Sequence, residues 1–280
     1  MSETLYDDIK RKLPDLPKAM RRVALYFVSN PLDVVAKSAH DLALILETSD
    51  ATVVRTAQAL GFGGLAELKQ LLAESLSAST PSKAFSKVVG ETQADMRKAI
   101  ERSLDMQAKA LFHLRDGEAG RTIAPVAQIL GARRRIVLFG QGQTAHIVSY
   151  IGHLMRRHGR EVMLLRASGK ALADELLQLH PDDGLLVLSY DRVYAEVRAA
   201  ANEALRLGIP IVLVTGDARN ELAQKCDQLV VLPRGETGGM ATHGTTLAWL
   251  ETLVVALAVA SKKDTSEALA RLERIRGDLN

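Results

Sequence analysis

Three short stretches carry residue types that could do chemistry. Residues 140–145, "GQGQTA", set two glycines and a threonine between an apolar run and a helical pattern. Glycines let backbone N–H groups crowd an anion, a helix N-terminus adds its dipole, and Thr144 adds a hydroxyl. Residues 187–197, "VLSYDRVYAEV", bring Ser189, Tyr190, Asp191, Arg192 and Tyr194 to a second strand-to-helix join, where hydroxyls, a carboxylate and a guanidinium could meet a polar ligand. Residues 48–62, "TSDATVVRTAQALGF", place Ser49, Thr52, Arg55 and Thr56 near the start of a helix, as donors suited to base edges and phosphates. The seven histidines include His146, His153 and His243, but no pair has zinc-like spacing with a cysteine or carboxylate set. No metal and no cofactor is therefore expected. Most histidines read as surface or packing residues; His146 and His243, near helix starts, are secondary candidates for a ligand cleft.

The elements that must position these groups divide the chain by periodicity. Residues 1–77 carry only helical patterns. "PKAMRRVALYFVSN" spaces Ala19, Val23, Tyr26 and Phe27 for one helix and stops at Asn30-Pro31, because proline disfavours helical backbone in the residue before it. "SAHDLALIL" sets Ala39, Leu42, Ala43 and Leu46 on one side of a second helix. A brief turn later a third runs from Asp50 to Leu60, N-capped by Ser49 and ended at Gly61. Its expected buried stripe is Val53, Val54, Ala57 and Leu60, which leaves Thr52, Arg55, Thr56 and Ala59 facing solvent. "LAELKQLLAESL" supplies a fourth helix. Two helices joined by so short a turn have the spacing of a helix-turn-helix, a spacing that any small helical bundle also shows.

Residues 78–95, rich in Ser, Thr, Pro and Lys, are expected to be a linker. A helix-rich stretch follows, with Met96, Ile100, Leu104 and Leu111 as its packing face. Beyond it five apolar runs, at 135–140, 162–165, 185–189, 209–216 and 229–233, alternate with helical stretches. Runs without polar alternation suit parallel strands buried on both faces. Such sheets bind ligands at their C-terminal strand ends, so the turns after Phe139, Leu188 and Val214 are the places to look.

A chain of 280 residues, 47% hydrophobic, can bury two cores. Its formal charge of +3 says little about partners. Residues 1–80 hold about as many acidic as basic groups, so DNA binding there must rest on local placement of charge. No uninterrupted apolar run reaches the ~18 residues of a membrane span, and the first residues lack the apolar core of a signal peptide. A cytoplasmic protein with no membrane partner is expected. Cys226, the single cysteine, cannot form an internal disulfide.

Residues 1–77 resemble the N-terminal domain of the RpiR family of bacterial transcriptional regulators, on Ser49, Thr52, Val53, Arg55, Gly61-Phe62 and Lys69. The resemblance implies DNA contacts by Ser49, Thr52 and Arg55 and a phosphate contact by Lys69; for Ser49, a cap and nothing more is an equal reading. Residues 120–262 resemble a sugar isomerase (SIS) domain, on the glycine turn at 140–144, the run 183–189, Leu207-Gly208, Thr215, "NELAQKCD" and "GGMATHG". The competing reading of Gly140-x-Gly142-x-x-Ala145 is a dinucleotide fingerprint. It lacks the acidic ribose ligand expected about 20 residues on, and Arg166 closes the second strand, so an NADP site is the minor alternative.

In phosphosugar-binding SIS domains the turn after the third strand reads Ser-x-Ser-Gly-x-Thr. Here only the first serine is kept, as Ser189; Asp191, Arg192 and Tyr194 stand where the second serine, the glycine and the threonine would be. A carboxylate ~4 Å from one phosphate charge costs ~4 kcal/mol at an effective dielectric of ~20. Three outcomes stay open: a phosphosugar held by Arg192 with Asp191 turned away, an unphosphorylated polyol or sugar acid bonded by Asp191, or no ligand.

The expected protein is a regulator, not an enzyme. An all-α helix-turn-helix domain (1–77) is followed by a linker (78–95) and an α/β three-layer SIS domain with a five-stranded parallel sheet (96–280). It binds double-stranded operator DNA through Ser49, Thr52, Arg55, Thr56 and Lys69, as a homodimer or homotetramer. Its effector, a sugar phosphate, sugar acid or polyol, lies against Gly140, Gly142, Gln143, Thr144, Ser189, Tyr190, Asp191, Arg192 and Tyr194. The alternatives are a regulator whose SIS domain only dimerises, and a phosphosugar isomerase, for which the anchor loop is altered and no base stands out.

Overall fold

The computed structural model describes residues 9, 11–77, 81–190, 193–235 and 240–279. They fall into two compact units, one of residues within 1–102 together with Met240, the other within 103–235 and 241–280.

In the first unit, helices α1 (Lys18–Ser29), α2 (Pro31–Ala36), α3 (Ala39–Ile45), α4 (Asp50–Ala59) and α5 (Leu65–Ser77) surround a core of Val23, Phe27, Leu42, Val53, Ala57, Leu68 and Leu72. Pro31 ends one helix and opens the next, because the first N–H of a helix has no intrahelical partner to lose. A capping box starts α3: Asp41 N donates to Ser38 Oγ at 3.1 Å, and Ser38 N donates to Asp41 Oδ2 at 3.0 Å. Four residues, 46–49, turn the chain into α4, where Ser49 Oγ accepts from Thr52 N at 3.2 Å. Gly61, at φ +91°, supplies the left-handed residue that ends α4.

Within the expected linker, 78–95, most of the described residues are regular. Residues 81–92 form helix α6 (Pro81–Thr92), with Pro81 opening it and Ala84 and Thr92 buried on one side, half-buried Val88 between them. Composition hid a helical i, i+4, i+8 stripe made of small and β-branched residues. Helix α7 (Met96–Asp116) brings a second correction. Met96, Ile100, Leu104 and Leu111 share the expected spacing, yet they are 76, 52, 62 and 45% exposed. The stripe exists, but no element among the described residues covers it.

The second unit continues with α8 (Glu118–Arg121), α9 (Ile123–Gly131), β1 (Arg135–Gly140), α10 (Gln143–Arg157), β2 (Glu161–Leu165) and α11 (Ala171–Leu176). Then come β3 (Asp183–Leu188), α12 (Ala195–Leu207), β4 (Ile211–Thr215), β5 (Gln228–Val231), α13 (Gly244–Ala260) and α14 (Lys262–Gly277). The strands form one parallel sheet in the order β2-β1-β3-β4-β5. Successive strand residues point to opposite faces. Ile136, Leu138 and Leu186 therefore pack with Leu130, Ile151, Met155 and Trp249 on one face, while Val137, Phe139 and Val187 pack with Ala200, Ala204 and Leu213 on the other. The sheet is covered on both sides, which is why its strands read as unbroken apolar runs.

At the N-terminal strand ends the fully buried Asp183 accepts from Arg135 Nη2 at 2.7 Å, Arg135 Nε at 3.1 Å and His180 N at 2.8 Å. This pair ties β1 to β3 at the end opposite the expected ligand turns. No single helix among the described residues is long and apolar enough to cross a membrane. The most apolar stretch near the C-terminus, α13, buries Trp249, Leu250, Leu253, Val254 and Leu257 in the core.

Candidate functional site

The chain leaves β1 toward β2 on one side of the sheet and returns to β3 on the other, so the strand order switches between β1 and β3. In open α/β sheets a crevice forms outside the C-terminal strand ends at such a switch. A cavity of about 210 Å³ lies there, bounded by the turn after β1, the turn after β3, and Arg234 and His243 from beyond β5.

The β1 turn is shaped by two glycines with different duties. A Cβ on Gly140 would stand 2.7 Å from Thr144 Oγ1 and 2.9 Å from the Thr144 carbonyl carbon, so strand end and helix start approach too closely for any other residue. Gly142 has φ +59° and ψ −127°, a backbone that residues with a Cβ rarely adopt. No side chain caps α10; Thr144 N donates back to Gln141 O at 3.3 Å and Ala145 N to Gly142 O at 3.2 Å, which leaves the Gln143 N–H and the positive end of the dipole for the cleft. Gln143 opens the helix there and lines the cavity.

Thr144 also lines the cavity, but its hydroxyl is already engaged. Oγ1 donates to Gln141 O at 2.9 Å and stands 3.5 Å from Leu188 O. The expected ligand hydroxyl is instead a brace between the β1 turn and the end of β3.

After β3, Ser189 is buried, with its N–H on Val214 O at 2.9 Å and its carbonyl accepting from Asn220 Nδ2 at 3.2 Å. Tyr190 turns its hydroxyl to Thr246 Oγ1 at 2.5 Å. Its ring meets His243 edge-on at 5.1 Å, and the Arg234 guanidinium carbon stands 4.9 Å from the ring centre. Burial pushes the Tyr190 phenol up to about 12, although the Thr246 hydrogen bond and the Arg234 charge pull the other way. Tyr194, 44% exposed, stands at the N-cap of α12 and lines the cavity. Asp191 and Arg192 lie outside the described residues.

Glu196, in the first turn of α12, reaches Gly169 N at 3.3 Å. Its carboxyl is held below its usual range by its own backbone N–H, then by Gly169 N–H and the Gln141 side chain. Gln141, Arg234, Thr246 and Glu196 did not emerge from the local pattern. Arg234 follows the fifth apolar run, so the strand-end rule, carried on to β5, would have found it; Glu196 and Thr246 carry no local signal. His243 does reach the cavity, whereas His146 lines a different one at the ends of β1 and β2.

In the first unit, α4 exposes Arg55, whose Nε donates to Ala51 O at 3.2 Å, while Ser49 Oγ and Thr52 Oγ1 stand 2.9 Å apart at the helix start. Thr56 is fully buried and donates to Thr52 O at 2.7 Å, which corrects its expected place on the solvent side. Three residues after Val53 and four before Leu60, it falls on the packing face, and Val54 is only half-buried. Lys69, on α5, donates from Nζ to Lys37 O at the end of α2, so its ammonium caps a helix.

The class is defined by this pairing: a helix-turn-helix unit and a doubly wound α/β unit with a strand-end cleft make the chain a DNA-binding transcription regulator with a sugar-isomerase-type domain. Residues 4–79 match the helix-turn-helix domain of the rpiR family, and residues 129–260 match the SIS domain. The chain belongs to the RpiR family of transcription regulators. It is 27% identical over 219 residues to the HTH-type transcriptional regulator YfhH of Escherichia coli K12, covering 78% of this chain and 77% of that one. Among solved structures it is similar to the Vibrio vulnificus NanR protein complexed with ManNAc-6P, at 21% identity and a TM-score of 0.56 over 99% of both chains. The sugar isomerase domain of an RpiR transcription factor from Sphaerobacter thermophilus matches 62% of this chain and 96% of its own, at 19% identity and a TM-score of 0.55. The likeness to these two structures is one of fold.

Proposed function

We propose that this regulator senses a phosphorylated sugar in the cleft between the β1 and β3 turns, and that the ligand modulates operator binding by α4 in a homodimer or homotetramer. The observation that carries the reading is the uncapped N-terminus of α10 at Gly142, opening on a cleft that also holds the Arg234 cation. Helix N-termini bind phosphate through their orphan N–H groups and dipole, and each hydrogen bond to a charged group is worth ~1.5–3 kcal/mol. The sugar phosphate ManNAc-6P, carried by the NanR structure of the same fold, supports the same ligand class. On the DNA side, Ser49, Thr52 and Arg55 remain the contacts; Thr56 is buried and Lys69 is engaged as a cap. A regulator is favoured over an isomerase because a helix-turn-helix unit has no part in moving a sugar proton.

The ligand shifts DNA binding only through its differential affinity for the arrangements of the protein that bind and release the operator. The test is thermal unfolding with hexose and pentose phosphates, their unphosphorylated parents, sugar acids and polyols. A ligand at ~100 times its Kd adds ~2.7 kcal/mol to the folded state. Stabilisation by phosphates alone, with a matching change in operator affinity, is expected. Equal stabilisation by an unphosphorylated parent overturns the phosphate reading and gives Asp191 the role of hydroxyl acceptor. No stabilisation by any compound leaves the SIS domain as an assembly module.

A further inference from the structure

A cavity larger than the sugar cleft lies beside it in the second unit. About 370 Å³ opens at the C-terminal ends of β1 and β2, within the size range of small-molecule sites. We propose that it binds the adenosine 2′-phosphate end of NADP(H), as a second ligand site next to the sugar cleft.

The glycines of this corner stand in the positions that dinucleotide sites require. Gly140 permits the tight approach of strand to helix, and Gly142 has positive φ with nothing within 4 Å of a would-be Cβ, so a diphosphate can come against the same backbone that the sugar phosphate uses, and the two ligands exclude each other at that point. At Gly152 a Cβ would meet the side chains of Leu164, Leu138 and Val162 at 3.1–3.3 Å, so its absence lets α10 lie close on β1 and β2. Ala145 occupies the third fingerprint position, where glycine or alanine is accepted.

The residue that closes β2 decides which nucleotide fits. An NAD site places a carboxylate there for the ribose 2′-hydroxyl; this chain has Arg166, the residue type that accommodates a 2′-phosphate. No Asp or Glu lines the cavity, and His146, Ser149 and Ser168 add polar side chains around the arginine. Glu175 Oε2 accepts from Arg166 N at 2.8 Å and Ala167 N at 3.1 Å, which fixes the backbone that carries the guanidinium. The Arg166 side chain is exposed and pairs with no carboxylate among the described residues. Gln141, which lines both this cavity and the sugar cleft, has an Oε1 atom that is buried without a hydrogen-bond partner. The inference concerns binding alone; no hydride transfer is implied.

The test titrates the full chain with NADPH and NADH by cofactor fluorescence, and with 2′,5′-ADP and 5′-ADP by calorimetry. NADPH should bind roughly tenfold or more tightly than NADH, the factor expected from one or two hydrogen bonds to a charged group. Arg166→Ala should bring NADPH down to the NADH level and Arg166→Lys should keep part of the preference, with the ligand-free melting point unchanged because the side chain is exposed. Absence of NADPH binding, equal binding of NADPH and NADH, or an Arg166→Ala protein that keeps the preference overturns the proposal. Stabilisation by sugar phosphates, measured in the same Arg166→Ala protein, should match wild type. A failure at the sugar cleft is thereby separated from a failure here.

Discussion

Gly142→Ala isolates backbone strain at the sugar cleft from every other effect. The position holds φ +59° and ψ −127°, and an added Cβ meets no atom within 4 Å, so a clash contributes nothing. Holding an alanine in so sparsely populated a conformation costs of order 1–3 kcal/mol. A gain of about 0.4–1 kcal/mol from the less flexible unfolded chain offsets part of it. The net loss should be about 0.5–2 kcal/mol, read as a drop of a few degrees in melting temperature. If the turn bears the strain, stability falls and the ligand response is kept; if it relaxes instead, stability recovers but the Gln143 N–H swings away from the cleft and sugar-phosphate stabilisation is lost. Gly140→Ala is the contrast: its Cβ would lie 2.9 Å from backbone atoms of Thr144, so the first turn of α10 must lift off the sheet and stability should fall by more. Thermal unfolding with and without a sugar phosphate reads both variants. A Gly142→Ala protein with wild-type stability and wild-type ligand response would refute the strain argument and the assignment of this helix start to the ligand.

Further outcomes follow from the same contacts. Arg55→Ala should weaken operator binding by about 1–3 kcal/mol in a mobility-shift titration, whereas Thr56→Ala should lower the melting point and leave operator affinity near wild type, because Thr56 is buried. Wild-type operator affinity in Arg55→Ala would remove α4 from the DNA interface. Arg135→Ala strands the buried Asp183 carboxylate with only the His180 N–H, at a cost of about 3–5 kcal/mol in urea unfolding; a loss under about 1 kcal/mol would mean that water reaches Asp183. Tyr190 titrates near 12 when folded against about 10 when unfolded. Its raised value stabilises the fold fully below about pH 10, and that share, up to about 3 kcal/mol, is lost as pH rises toward 12. Tyr190→Phe should flatten the alkaline loss relative to wild type; identical curves between about pH 10 and 12 would refute a buried phenol.

Much of the fold was legible because its signals are local. A strand covered on both faces must be apolar at every position, so β1 could be read residue for residue over 135–140. Ser49 caps α4 and Gly61 ends it because these jobs depend on a side chain or a φ angle within a few residues. Composition alone misled at 81–92, where serine, lysine and glycine concealed a helix whose buried side needs only Ala84, Val88 and Thr92. The apolar stripe on α7 was read correctly as a stripe and wrongly as packed, since spacing shows which residues share a face and never what lies against it.

The amino-acid order by itself determined the two-part make-up, the strands, the caps and the glycine turn, all of which rest on interactions between near neighbours or on the burial of whole elements. Tertiary structure alone decided which polar groups reach the cleft. Thr144 and Thr56 carry the expected hydroxyls but bond to carbonyls three and four residues back. Arg234 and His243 enter the cleft from beyond β5, and Glu196 is drawn to Gly169 across a sequence gap that no local pattern spans. Whether a polar side chain meets a ligand or a carbonyl depends on what the folded chain places within hydrogen-bond distance of it, and that distance is set by the packing of the sheet.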